Sequence, residues 1–139
     1  MYEKILFDTN VILDILIRRE KLYYSSALSL TIIENKQADG FICETAIPLI
    51  FYLVEKDRGR QKAEKVIYDL LKILHIANVD ENTIKMSLHS GFKDFEDAII
   101  YFSALNNNID LIITRNKKDF IKSGLPVLSP EEFLSRFMK

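Results

Sequence analysis

The sequence predicts an α/β fold, an α/β/α sandwich with a central parallel sheet of about five short strands. The strand-length runs are apolar on consecutive residues, as strands covered on both faces must be. Segments of helical periodicity alternate with those runs, which suits a parallel sheet wound by crossover helices. Gly and Pro number only 4 and 3 in 139 residues, so the chain is neither collagenous nor loop-rich.

Ile5-Leu6-Phe7 is the first buried strand, followed by polar Asp8-Thr9-Asn10. Val11 to Ile17 reads as a short helix, apolar except for Asp14, and residues 24 to 35 as a second helix. Phe41-Ile42-Cys43 is strand-like, and Thr45 to Lys56 is an apolar helix with Pro48 in its first turn. From Arg60 to Leu74, Ala63, Val66, Ile67, Leu70, Leu71 and Leu74 share one helical face. Ile76 to Val79 is expected to be a strand, and Asp80 to cap a helix ending near Gly91. Asp94 is placed to cap the next helix, which is apolar around much of its girth. Leu111 to Thr114 and Val127-Leu128 complete the strands. Ser129-Pro130-Glu131-Glu132 has the form of a capping box.

The length is that of one domain, residues 1–139. Hydrophobic residues at 48% and charged residues at 28% argue against disorder. A net charge of −1 argues against a whole-surface nucleic-acid binder but allows a local basic patch. The one cysteine, Cys43, cannot form an internal disulfide, and with two histidines it makes a structural zinc site implausible. His75 and His89 lack a triad-like context. No apolar run reaches the ~20 residues that span a bilayer, so the expected compartment is the cytoplasm.

In parallel sheets ligands sit beyond the carboxyl ends of the strands, where strand order reverses. Asp8 follows the first strand, Thr114-Arg115-Asn116 closes the fourth, and Asp119 lies three residues on. Asp94 and Asp97 open a helix expected in the same layer. Clustered carboxylates repel, and a pocket gathering them usually hosts a hard divalent cation such as Mg²⁺ or Mn²⁺. Such a cation orients phosphate and lowers the pKa of bound water, the usual equipment of phosphodiester hydrolysis. Each residue has a plainer reading. Asp8 and Asp94 can cap helices, Asp97 can complement a helix dipole, Asp119 can pair with a lysine, and Asp14 can be a solvated helix position.

Together, Phe7-Asp8-Thr9-Asn10-Val11-Ile12-Leu13-Asp14, Asp94-Phe95-Glu96-Asp97-Ala98 and Ile113-Thr114-Arg115-Asn116-Lys117-Lys118-Asp119-Phe120 resemble the PIN-domain family. The resemblance covers essentially the whole chain. Many members are VapC-type toxins of toxin–antitoxin pairs, commonly homodimers. The resemblance implies acids binding Mg²⁺ or Mn²⁺ and cleavage of single-stranded RNA, with an antitoxin protein as partner. Carried across, Asp8 is similar to the first acid and Asp97 to the third, both as metal ligands. Asn116 or Asp119 is similar to the fourth polar position, and Thr114 to a group orienting the first acid or the substrate. Asp94 is a secondary candidate, and Thr9 and Asn10 shape the loop presenting Asp8. The sequence departs from the pattern at Leu49, where the family's second acid is expected. Glu44 lies five residues earlier, able to reach the site from the strand end or to act as a loop or capping residue.

Arg115, Lys117, Lys118 and Lys122 cluster after the fourth strand, and Arg18, Arg19 and Lys21 follow the first helix. Both groups are candidates for phosphate contact. Tyr23 and Tyr24 can stack on bases, pack on the core or meet a second subunit. Two principal readings follow, a metal-dependent endoribonuclease and a PIN fold that binds RNA or protein without cleaving, with a small-molecule phosphatase as a third.

Overall fold

The computed structural model describes residues 2–17 and 20–137, with side chains described outside 20–22. Arg18, Arg19 and the side chain of Lys21 therefore lie outside the described residues. The strands are β1 (Lys4–Phe7), β2 (Asp39–Cys43), β3 (Leu74–Ala77), β4 (Leu111–Ile113) and β5 (Val127–Leu128). The helices are α1 (Thr9–Leu16), α2 (Glu20–Glu34), α3 (Ala46–Arg58), α4 (Arg60–Ile73), α5 (Glu81–Leu88), α6 (Phe95–Asn106) and α7 (Pro130–Ser135). A 3₁₀ turn spans Lys117–Phe120.

The five strands are ordered β3-β2-β1-β4-β5, and every pairing is parallel. The chain first winds outward from β1 through β2 to β3, then returns to place β4 on β1's other side. Strand order thus reverses between β1 and β4, in register Phe7 opposite Ile113. A crevice opens at their carboxyl ends, where Asp8 and Thr114 emerge.

Alternation along the strands divides the core into two layers. Ile5, Phe7, Ile42, Leu111 and Ile113 face α1 to α4 and α7. Leu6, Cys43, Ala77 and Ile112 face the other way, toward Ile99, Ile100, Tyr101 and Ala104 of α6. Both faces of the central strands β1 and β4 are covered, which is why Ile5 to Phe7 and Leu111 to Ile113 carry no polar alternation. Gly40 marks the tightest approach: a Cβ there would lie 2.7 Å from Leu74 Cδ2 and 2.8 Å from Ile33 Cγ2. No described helix is long and apolar enough to cross a membrane.

The capping expectations hold in detail. Asp80 accepts from the Thr83 amide, Asp94 from the Asp97 amide, and Ser129 with Glu132 forms the complete capping box. Several boundaries differ by two to four residues. The third strand runs Leu74–Ala77 rather than Ile76–Val79, because Leu74 pairs with Gly40 and is buried on the sheet. Helical periodicity alone groups Leu74 with α4, since a buried residue fits either pattern. The second helix begins at Glu20, before residue 24. Helix α1 begins at Thr9, so Thr9 and Asn10 form its first turn instead of a loop. The Asp8 carbonyl accepts from Val11 N at 3.0 Å, which starts the helix at once.

Candidate active site

Asp8 occupies the N-cap position of α1 with extended backbone, yet its carboxylate caps nothing. It accepts instead from Thr114 Oγ1 at 2.7 Å, across the β1–β4 crevice. The Thr114 hydroxyl also accepts from the Asn116 amide at 3.1 Å, so one buried group fixes both the acid and the turn after β4. Asn116 in turn receives the Asp119 amide on its carbonyl at 3.0 Å, which starts the 3₁₀ turn.

Asp8 is 4% exposed. Burial raises its pKa above the ordinary value, against the lowering pull of the Thr114 hydroxyl and the Thr9 amide, and the Asp119 charge raises it further. Asp97, in the first turn of α6, is pushed up to about 7 by burial first and then by the charges of Asp94, Asp8, Asp119 and Glu96. Asp8, Asp97 and Asp119 therefore share one electrostatic neighbourhood at the carboxyl end of the sheet. Among the described residues, no three Asp, Glu, His or Cys side chains close into a metal cage. Asp94, Asp97 and Asp119 line a cavity of about 540 Å³ together with Lys118 and Lys122.

Two of the basic residues expected to contact substrate are held elsewhere. Arg115 Nε lies 2.7 Å from Asp14 Oδ2, an ion pair without hydrogen-bond alignment. Asp14 is no solvated position. It is fully buried in α1 and also accepts from Ser26 Oγ at 3.1 Å. A lone charge among Val11, Ile12 and Leu13 was the available sign of a buried partner. Lys117 Nζ bonds both Glu132 carboxylate oxygens, at 2.9 and 3.1 Å, tying the turn after β4 to α7. Lys118 remains on the cavity wall. Thr9 is buried, whereas Asn10 is half-buried.

Glu44 has a structural partner. Its Oε1 accepts the Val79 amide at 2.9 Å and the Asn78 side chain at 3.4 Å, pinning the loop after β3. Leu49, the fourth residue of α3, is 39% exposed and lies outside the packed core. Tyr24 is exposed, and His75 is an exposed ring against Phe41 with centroids 5.2 Å apart.

A parallel sheet with a β1–β4 switch point, an acid on β1's end and further acids at the α6 start and the turn after β4 together define a class of α/β domain. The pattern of the PIN domain matches residues 4–118, and the chain belongs to the PIN-domain family. It is 30% identical over 140 residues to Ribonuclease VapC1 of Aquifex aeolicus (strain VF5), covering 97% of this chain and 96% of that one. Among solved structures it is similar to a toxin-antitoxin complex from Klebsiella pneumoniae, with TM-score 0.65, 26% identity, and 90% and 96% of the two chains covered. The fold also matches VapBC2 from Rickettsia felis, bound to a DNA fragment from its promoter, with TM-score 0.66, 16% identity, and 91% and 97% covered.

Proposed function

We propose that the protein is a divalent-metal-dependent endoribonuclease that cleaves single-stranded RNA as the toxin of a toxin–antitoxin pair. The observation that carries this is the partly buried gathering of acids around Asp97, whose pKa is pushed up to about 7 by burial first and then by the charges of Asp94, Asp8, Asp119 and Glu96. Carboxylates pressed together in this way fit a hard cation, whose charge relieves the repulsion. The donors are all oxygen, which suits Mg²⁺ or Mn²⁺ over softer metals. Asp8 and Asp97 would hold the ion, with Asp119, Asn116 and Asp94 secondary. When bound, it supplies charge stabilisation at the phosphate and a water of lowered pKa.

The chain's own residues do the rest. Thr114 fixes the Asp8 rotamer through its 2.7 Å hydrogen bond, so the acid is oriented before substrate arrives. Without the ion, burial and the neighbouring acids raise the Asp97 pKa to about 7, so a bound cation would favour its ionised form. Asn116 and Asp119 are carried by the turn that Thr114 initiates, which supports their secondary role. Lys118 on the cavity wall offers positive charge for a phosphate. The reading carries with it an antitoxin protein and a homodimer as partners, and the cytoplasm as the place of action.

The test is calorimetric Mn²⁺ titration of wild type and Asp8→Asn, alongside cleavage of a labelled single-stranded RNA. Wild type should bind and cleave, and the variant should do neither while keeping its fold. Equal binding by both proteins sinks the assignment of Asp8 as a ligand. A second reading, a PIN fold that binds without cleaving, is favoured by Leu49, which puts an exposed apolar side chain where the resemblance expects an acid. Metal binding with no cleavage of any single-stranded RNA supports it.

A further inference from the structure

A carboxylate cluster alone repels a polyanion, so a site that cuts RNA needs cations on the facing wall. The 540 Å³ cavity beside the acids has them. Asp94, Asp97 and Asp119 are matched there by Lys93, Lys118 and Lys122. Among the described residues neither Lys93 nor Lys118 enters an ion pair, in contrast to Lys117. Lys122 is anchored, its Nζ donating to the Gly91 carbonyl at 3.0 Å. Gly91 permits this by lacking a Cβ, which would lie 2.9 Å from that ammonium, and by its φ of +76°.

The cavity also has an apolar side. Ile121 is 83% exposed at its edge, an unusual place for a large aliphatic side chain. Phe92 lies behind, stacked on Tyr101 with centroids 5.2 Å apart and set edge-on to Phe102 and Phe120. Tyr101 in turn accepts the Gly124 amide at 2.8 Å, fastening the segment after the 3₁₀ turn to α6. The apolar wall is thus built on a fixed aromatic cluster, and its volume falls within the range of small-ligand pockets.

We propose that this cavity is a nucleotide subsite beside the cleaved bond, resting on the ribonuclease reading above. Lys93 and Lys118 contact the phosphate of single-stranded RNA, and Ile121 with Phe92 receives one base by apolar contact. Base contact of this kind tolerates any sequence, because every base has an apolar face. The subsite therefore sets how firmly a single strand is held, and gives little preference among bases.

The experiment is fluorescence-anisotropy binding of two labelled probes about ten nucleotides long, an oligouridylate and its abasic counterpart. Mn²⁺ is left out so that neither probe is cut. Lys93→Gln and Lys118→Gln should each weaken both probes by about threefold to tenfold. Each should also make the dependence of log affinity on log salt shallower by about 0.7. Ile121→Ser should weaken the oligouridylate by about threefold or more and leave the abasic strand unchanged. Lys62→Gln, at an exposed position of α4, should change neither probe. If wild type binds both probes and none of the three cavity variants alters that binding, the subsite is overturned while the ribonuclease reading stands. If wild type neither binds nor cleaves single-stranded RNA, the ribonuclease reading fails and the subsite fails with it.

Discussion

Asp97 shows how a single carboxyl ties stability to pH. Unfolded, it titrates near 3.8, and folded it is raised to about 7 by burial and four neighbouring acids. Between those values the folded chain keeps a proton that the unfolded chain has lost. This group's contribution to stability is therefore greatest at low pH, falls as pH rises through that window, and is a full penalty above about 7. Without divalent ions, Asp97→Asn should melt higher than wild type at about pH 8, and the gap should shrink toward about pH 5. A gap that does not vary with pH would show that this carboxyl is not the proton-bearing group. Leu49 offers the complementary test. Its exposure means that Leu49→Glu should shift stability by no more than about 0.5 kcal/mol, without the cost of burying a charge. Calorimetry should find tighter Mn²⁺ binding in that variant if position 49 borders the acids, and unchanged binding if it does not.

At the scale of elements, the Asp14–Arg115 pair joins α1 to the turn after β4, and Ser26 brings in α2. This links two helices on one face of the sheet to the loop that carries Asn116 and Asp119. Removing one partner of a buried pair leaves the other uncompensated, so Asp14→Ala should cost about 3 kcal/mol in urea unfolding. Arg115 is partly exposed, with 21% of its side chain accessible, which keeps the cost at the lower end of the usual range. The double variant Asp14→Leu/Arg115→Met should recover much of that loss, because apolar groups of similar size often replace a buried pair without penalty. Its RNA cleavage should stay low if the pair also fixes the loop. Full recovery of both would reduce the pair to a packing device.

For the whole molecule, the β1–β4 crevice, both core layers and the acids are built on one continuous sheet. We expect a single cooperative thermal transition by calorimetry and by circular dichroism. A cation held only by the folded acids should raise that transition. At a hundredfold excess over its dissociation constant, the linkage is about 2.7 kcal/mol, or about 9 °C for a chain of this length. Asp8→Asn should abolish the rise. A wild-type transition unmoved by Mn²⁺ would remove the metal from the account of this site.

The sequence by itself determined the elements, because their causes are local. Consecutive apolar residues mark doubly covered strands, as in Ile5 to Phe7, and Asp80, Asp94 and Ser129 cap helices through neighbours three residues away. Polar residues after β1 and β4 were legible as site candidates because a parallel sheet presents its strand ends together. What each polar side chain touches was decided only by the tertiary structure. Asp8 looked equally like a cap until Thr114, 106 residues away, took its carboxylate. Asp14 looked solvated until the turn after β4 delivered Arg115 onto it, and Glu44 fitted a site or a loop equally until the segment after β3 brought the Val79 amide to it. Backbone patterns depend on residues a few positions apart. Side-chain charges and hydrogen bonds are satisfied by whichever group the fold brings near, and no local spacing encodes that choice.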